Sequence, residues 1–267
     1  MNIRKPAVAG TFYPGSKAAL EQELAEYVEI SAEKKKVLGL VSPHAGYVYS
    51  GSCAGKGFGM VEIPGTVIIL GVNHRSFGHD FAVDGSDYWH TPLGDIPLDA
   101  ELRTKIVEGS RVFGIDSAAG EEEHSLEVQV PFIQYLAPEA KILPITVSSH
   151  DLRDLTLAGK EIGAILQDNR DLLVVASTDM THFLDAETAK KQDQKAIDRI
   201  LDLDPKGLFN VVTEERISMC GMAPTVMMLA AALEAGAKKV ESVCYTNSGE
   251  ASGDYDRVVA YYSALVY

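Results

Sequence analysis

Four residues that can bind a metal or carry a proton stand in separate short segments of the chain. His44 lies in SPHAGYVYSG, His74 in ILGVNHRSFG, His182 in VVASTDMTHF and Cys220 in SMCGMAP. Two neutral imidazoles and one thiolate make a three-ligand site that leaves room for water or substrate. We therefore predict that these four residues form one polar, metal-binding pocket.

The residue types suggest which ion would bind and which groups would assist it. Thiolate is soft and imidazole borderline, so Fe(II), Zn(II) or copper suit the site better than Mg(II) or Ca(II). His182 could then act as a base, with Asp179 to orient it. His124 and Glu127 lie three residues apart on a predicted helix and could contribute to the same pocket, and Tyr47 could line it.

The elements that position these residues show as Val- and Ile-rich apolar runs alternating with helical patterns. The predicted strands are Val37–Ser42, Thr66–Gly71, Lys141–Val147, Asp171–Ser177, Val240–Thr246 and Asp256–Ala264. The predicted helices are Ser16–Glu33, Ser52–Met60, Leu98–Glu108, His124–Leu136, Asp151–Gln167, Ala186–Leu203 and Ala223–Ala235. Continuous apolar strands are typical of a sheet covered on both faces. We predict one α/β domain over residues 1–267, with a central, largely parallel (mixed) sheet and helices on both faces.

Three of the histidines share a position relative to the predicted strands. His44, His74 and His182 each follow a strand end within a few residues. In open parallel sheets, ligands bind in the crevice beyond the carboxyl ends of the strands. This shared placement predicts that distant parts of the chain meet at one cleft.

Composition narrows the class of partner. The chain has 267 residues, 46% hydrophobic, and a formal net charge of -14. An acidic surface argues against binding duplex nucleic acid or an anionic membrane surface. Three cysteines do not make a disulfide framework, and we expect neither a signal peptide nor a membrane span. We expect a cytoplasmic protein.

Six motifs in order resemble those of the Memo family, from about Arg4 to Tyr267. They are RKPAVAGTFYP, PHAGYVYSG, GVNHRSFG, EEEHSLEVQVPF, STDMTHF and MCGMAP. The family is similar in fold to class III extradiol dioxygenases, which use non-haem Fe(II). The resemblance implies an α/β fold with a central sheet and one cleft. It also implies an AmmeMemoRadiSam setting, in which prokaryotic members stand beside an AMMECR1-type protein and a radical-SAM protein as candidate pathway partners.

The resemblance also implies roles for individual residues. It carries metal-ligand roles onto His44, His74 and Cys220, and it places Asp179 and His182 beside the metal. His182 stands where the dioxygenases keep a catalytic histidine. Those enzymes use two histidines and a carboxylate, whereas the third position here is a thiolate, which changes charge, softness and redox behaviour.

Three functions follow as alternatives. The first is a dioxygenase-like, metal-dependent oxidoreductase acting on a small molecule or peptide, with Fe(II) favoured and zinc or copper as alternatives. The second is a zinc hydrolase that uses His124 and Glu127 with a metal-bound water. The third is a non-catalytic binding or adaptor protein that uses the same cleft, because one scaffold hosts unrelated functions.

Overall fold

Apolar runs of the sequence form the central strands of the computed structural model, which describes residues 2–75 and 78–267. The strands are β1 (Ile3–Arg4), β2 (Gly39–Ser42), β3 (Thr66–Val72), β4 (Phe81–Val83), β5 (Tyr88–Thr91), β6 (Gly94–Pro97), β7 (Gly114–Ile115), β8 (Lys141–Val147), β9 (Leu172–Ser177), β10 (Asp179–Leu184), β11 (Val240–Asn247) and β12 (Val258–Val266). Nine of these strands form the main sheet, in the order β10-β12-β2-β9-β3-β8-β4-β7 with β11 paired to β12. The remaining three form a small sheet, β1-β5-β6.

The centre of the main sheet is parallel and its flanks are antiparallel. Strands β2, β9, β3 and β8 run parallel to their neighbours in that group. On one side, β12 pairs antiparallel with β2, and both β10 and β11 pair antiparallel with β12. On the other side, β4 pairs antiparallel with β8. The predicted α/β class with a mixed, largely parallel sheet is confirmed.

The helices connect these strands and cover the sheet. They are α1 (Lys17–Tyr27), α2 (Tyr47–Met60), α3 (Ala100–Glu108), α4 (His124–Glu127), α5 (Val130–Leu136), α6 (Leu152–Asp168), α7 (Ala186–Leu201), α8 (Pro205–Glu214), α9 (Met222–Glu234) and α10 (Gly249–Ser252). Among the described residues, no helix is both long enough and apolar enough to cross a membrane.

Strand β3 shows how the sheet divides the core. Its side chains alternate between the two faces, because successive residues of a strand point in opposite directions. Val67 and Ile69 join the core that contains the buried residues of α1, α2 and α5. Ile68 and Leu70 join the core that contains those of α6 and α9. The sheet is therefore covered by helices on both faces.

Helices α6 and α9 pack unusually closely, because α6 presents two glycines to α9. A Cβ added at Gly159 would lie 2.5 Å from the carbonyl oxygen of Met227, and one at Gly163 would lie 2.6 Å from that of Ala231. Both approaches are shorter than a real side chain allows. This packing holds α9, and the loop before it, against the sheet.

Tertiary contacts changed several predicted boundaries. The predicted helix Ser16–Glu33 ends at Tyr27, and the backbone N–H of Ser31 bonds to the carbonyl of Gly59 at the end of α2 instead. The predicted helix His124–Leu136 divides into α4 and α5, because Pro131 has no N–H to continue a helix and stands in the first turn of α5. Helix α8 and strand β10 were not predicted.

Candidate metal centre

The candidate site lies where three adjacent parallel strands end. Strands β2, β9 and β3 are neighbours in that order. His44, Asp179 and His74 each follow one of these strands by two residues. Because parallel strands end at the same edge of a sheet, the three residues reach one cleft.

A cluster of three histidines forms the centre of this cleft. One ring nitrogen from each of His44, His74 and His124 lies within 4.8 Å of the others. The rings of His74 and His124 stack with centroids 4.7 Å apart, and the His44 ring stands edge-on, 5.5 Å from each. His124, expected as a pocket residue, is therefore part of the cluster itself.

Glu123 holds two of these imidazoles from behind. Its Oε1 accepts from Nδ1 of His74 at 3.0 Å and lies 3.4 Å from Nδ1 of His124, while its Oε2 accepts from the backbone N–H of His74 at 2.9 Å. The Glu123 side chain is 1% exposed. A carboxylate only accepts, so the proton of His74 sits on Nδ1 and its Nε2 lone pair is free.

The third imidazole is oriented by a hydroxyl. Ser177 donates its one hydroxyl proton to the carbonyl of Ser125 at 2.6 Å and accepts from Nε2 of Gln129 at 2.8 Å. Toward His44 the Ser177 oxygen must therefore accept, and Nδ1 of His44 donates to it at 3.0 Å. Nε2 of His44 is left unprotonated, as a metal ligand requires.

Burial lowers the pKa of two of the three imidazoles. It lowers the pKa of His44 to about 3, helped by neighbouring His74, and it lowers the pKa of His124 to about 4, helped by His44. Burial raises the pKa of Glu123, but the bonds from His74 and the N–H of Ser125 outweigh it and bring that pKa to about 2. At neutral pH the imidazoles of His44 and His124 are therefore uncharged and Glu123 is a carboxylate.

The donor set fits a divalent transition metal. Zinc lies about 2.0–2.1 Å from imidazole nitrogens, so two ligands of one ion are no more than about 4.2 Å apart. The 4.8 Å limit in the cluster requires a small inward movement. The His74 side chain is 34% exposed, more than those of His44 and His124, and therefore has the most room to supply it. Three imidazoles suit iron, copper or zinc and leave the choice of metal open.

Cys220 reaches the cluster from the loop before α9. Its Sγ lies 3.2 Å from Nε2 of His44 and accepts from the backbone N–H of Asp179 at 3.2 Å. Burial, together with Asp179, raises the pKa of the thiol, so without a metal Cys220 is protonated. A Cβ at Gly221 would lie 2.4 Å from the carbonyl of Ser177, so only glycine lets this loop approach β9 so closely.

Asp179 and His182 belong to β10 rather than to a loop. The carboxylate of Asp179 accepts from the backbone N–H of His44 at 2.7 Å and lies 4.0 Å from its Nε2, and burial raises its pKa. The pairing of β10 with β12 is irregular on both sides of His182. Such irregularities re-aim a side chain, and His182 lines the cleft. Its Nδ1 donates to the carbonyl of Ser218 at 2.8 Å, so the neutral ring carries its lone pair on Nε2.

The cleft around the cluster encloses about 480 Å³. His44, His74, His124, Asp179 and His182 form its polar wall. The other aromatic and polar side chains that line it are Phe12, Tyr49, Phe183, Ser248, Ser252, Asp254, Arg257 and Tyr261. A volume of this size accommodates a small organic molecule or a peptide side chain.

Two expected pocket residues point elsewhere. Glu127 is buried and bound to Nη1 of Arg4 and to the hydroxyl of Tyr13, both at 2.7 Å. Tyr47 donates its hydroxyl to the carbonyl of Val128 at 2.7 Å inside the core. Neither residue lines the cleft.

Sequence reasoning missed the groups that orient the imidazoles. Glu123 precedes His124 directly in EEEHSLE, and a carboxylate beside a candidate ligand is a usable signal because such ligands commonly bond to one. Ser177 and Gln129 carried no such signal. Their roles depend on contacts between distant segments.

Comparisons with known proteins agree with this architecture. A family model described as Memo-like protein matches residues 4–265. A MEMO1 family protein of Aquifex aeolicus is 40% identical over 98% of both chains, and one of Methanococcoides burtonii is 39% identical over 99% of this chain and all of its own. An uncharacterized Escherichia coli K12 protein, JW3007, shares the fold at a TM-score of 0.56 and 12% identity, over 85% of this chain and 99% of its own. The chain therefore belongs to the Memo-like protein family.

Proposed function

We propose that this protein is a metal-dependent oxidoreductase that acts on a small molecule or peptide bound in the cleft. One observation carries the proposal: three imidazoles turn toward one point, while their Nδ1 atoms face Glu123 or Ser177. This is the arrangement that prepares histidines to ligate a metal. A packing role would not require three imidazoles to converge in one open cleft.

In this proposal His44 and His74 bind the ion, with Cys220 and His124 completing the set. The sulfur of Cys220 lies 3.2 Å from Nε2 of His44, which supports a role for it at the same ion. The ion is Fe(II), with copper or zinc as alternatives. A bound metal would polarise a ligand and, if redox-active, exchange electrons with it.

His182 is the proposed acid or base of the reaction. Its free Nε2 and its position in the cleft wall support this role, because the bond from Nδ1 to the Ser218 carbonyl holds the ring in one tautomer. Asp179 is a positioning residue in this proposal, since its carboxylate fixes the His44 backbone. The zinc hydrolase alternative has no support from Glu127, which lies in the core.

The test is metal content after anaerobic purification and reconstitution with Fe(II), Cu or Zn. We expect about one ion per chain in the wild-type protein. His44→Ala and His74→Ala should lose the ion, whereas His124→Ala and Cys220→Ala should bind it with lower affinity, because each variant removes a ligand or a group that supports one. His90→Ala is the matched control, because His90 is exposed and pairs with Asp95 at 2.5 Å, outside the cleft.

Oxygen uptake by the loaded protein then separates an oxidoreductase from the alternatives. Turnover that is insensitive to oxygen with zinc bound would favour a hydrolase. If the metal-free His44→Ala variant fully restored the biological effect in cells that lack the wild-type protein, an adaptor role would be favoured. Failure to bind any of the three metals would refute the proposal altogether.

A further inference from the structure

Two of the three cysteines lie together where α2 packs against β11. Cys53 stands on α2 and Cys244 on β11. The Sγ of Cys53 lies 3.8 Å from the carbonyl oxygen of Cys244, and the two thiols share a hydrogen bond. They stand 191 positions apart in the chain, so the fold alone makes them neighbours. A disulfide requires two thiols that face each other, and this pair meets that condition.

Close packing of α2 on the sheet holds the pair in place. Cys244 pairs with Ser263 of β12, and a Cβ added at Gly57 of α2 would overlap the hydroxyl oxygen of Ser263. Only a glycine therefore lets α2 come so close. The register of β11 against β12 is also irregular between Ser242 and Cys244, and such irregularities re-aim a side chain. The Cys244 thiol is thus presented to α2.

The two thiols have different surroundings. Cys53 is fully buried, whereas Cys244 is partly exposed. Burial raises the pKa of Cys53, and its hydrogen bond to Cys244 acts in the same direction. The hydrogen bond from Cys53 and the positive charge of Lys56 on α2 lower the pKa of Cys244, against the effect of its burial. The pair thus consists of an accessible thiol that ionises readily and a buried thiol that stays protonated behind it.

We propose that Cys53 and Cys244 are a dithiol site that hydroperoxides oxidise to a reversible disulfide. The Cys244 thiolate attacks one oxygen of the peroxide, the O–O bond breaks, and Cys244 becomes a sulfenic acid. The sulfur of Cys53 then attacks the sulfenic sulfur, and its proton leaves with the hydroxyl group as water. In total, two thiols lose two electrons and two protons, and one hydrogen peroxide becomes two molecules of water. A thiol reductant reverses the oxidation by exchange.

The dithiol site is separate from the candidate metal centre. Neither of its cysteines lines the cleft, and the third cysteine, Cys220, supplies an internal comparison. Burial, together with Asp179, raises the pKa of Cys220, so its thiolate is scarce when no metal is bound. We therefore expect Cys244 to react first, by a factor of at least about ten, since one pKa unit changes the ratio of thiolate to thiol tenfold.

Peptide mapping after a brief oxidation tests the inference. The reduced full-length protein is treated with a small excess of hydrogen peroxide, with a chelator present so that no metal catalyses the reaction, and is then blocked with N-ethylmaleimide. We expect the chain to lose about 2 Da and to keep one free thiol, at Cys220, because a disulfide forms by removal of two hydrogens. Proteolysis should yield a pair of peptides joined through Cys53 and Cys244, which dithiothreitol separates.

Single substitutions assign the order of the two steps. Cys53→Ala removes the second thiol, so Cys244 should stop at the sulfenic acid and be trapped by dimedone. Cys244→Ser removes the accessible thiol, so Cys53 should stay reduced. Cys220→Ser is the matched control, because it removes the third thiol and should form the disulfide at the wild-type rate. Circular dichroism checks that each variant is folded, and mapping of the wild-type chain tests the proposal even if Cys53→Ala does not fold.

The first oxidation product of the wild-type chain decides the outcome. A disulfide between Cys53 and Cys244 of one chain supports the inference, whether or not the histidine cluster binds a metal. Oxidation of Cys220 before Cys244 would overturn it. Accumulation of a Cys244 sulfinic acid beside reduced Cys53, or disulfides that form only between separate chains, would overturn it as well, because either result means that the two thiols do not meet.

Discussion

Replacing Glu123 by Gln tests whether this carboxylate prepares the histidine cluster. The substitution keeps the shape of the side chain and removes its charge. The carboxylate accepts from the backbone N–H and Nδ1 of His74 and from the N–H of Ser125, at 2.8–3.0 Å. A glutamine amide has one oxygen, so its NH₂ must face one of these donors. Leaving a buried donor unpaired costs about 1–3 kcal/mol.

The pKa of Glu123 adds a dependence on pH. It is about 2 in the folded protein and about 4.3 in an unfolded chain, a difference equivalent to about 3 kcal/mol. Because the folded value is the lower one, this stabilisation is present at neutral pH and is lost as the pH falls from about 4.3 toward 2. The destabilisation caused by Glu123→Gln should therefore be largest at pH 7 and shrink at pH 3.

Urea unfolding of metal-free protein at both pH values measures this effect, and chelator competition measures metal affinity. We expect affinity to fall about 10–100-fold, as for other carboxylates behind a ligand histidine. Glu122→Gln is the control, because the neighbouring Glu122 is exposed and pairs with the exposed Arg75, at 3.3 Å. If the two variants had equal stability and equal metal affinity, Glu123 would have no part in preparing the site.

Three further predictions follow from the same contacts. Glu127→Gln should destabilise the protein by about 3 kcal/mol in urea unfolding, because it leaves Arg4 buried without its counter-charge, while metal content stays unchanged; loss of metal would contradict the separation of Glu127 from the cleft. Gly221→Ala should lower the unfolding free energy by about 1–3 kcal/mol, because its Cβ would meet the Ser177 carbonyl, and an unchanged melting temperature would count against that contact. Cys220→Ser should weaken the binding of copper and zinc by more free energy than it takes from the stability of the fold. Equal metal affinities of the variant and the wild-type protein in a competition titration would exclude the sulfur as a ligand.

Much of the architecture was accessible from the sequence, because it depends on local patterns. The apolar runs around β3, β8 and β9 are long enough, and sufficiently rich in Val and Ile, to identify buried parallel strands. The position of His44 and His74 just beyond such strands followed directly. Boundaries at Tyr27 and Pro131 were less accessible, because a tertiary hydrogen bond and a missing N–H overrode the helical periodicity.

The direction of side chains on short elements was not accessible from the sequence. His124 and Glu127 stand three residues apart on one turn of helix, yet the first joins the histidine cluster and the second binds Arg4 in the core. Periodicity predicts a shared face only where a helix is long enough to have one. On α4, the packing of the N-terminal segment decides instead which way each side chain points.

The sequence by itself determined the residue types of the candidate ligands, their order and their position beyond the strand ends, because all three depend on residues close together in the chain. Only the tertiary structure decided which partners orient them. Glu123 reaches His74 across 49 positions and Cys220 reaches His44 across 176, and Phe183 meets Arg257 only because β10 pairs with β12. Such contacts arise from packing between distant segments, which local propensity does not encode.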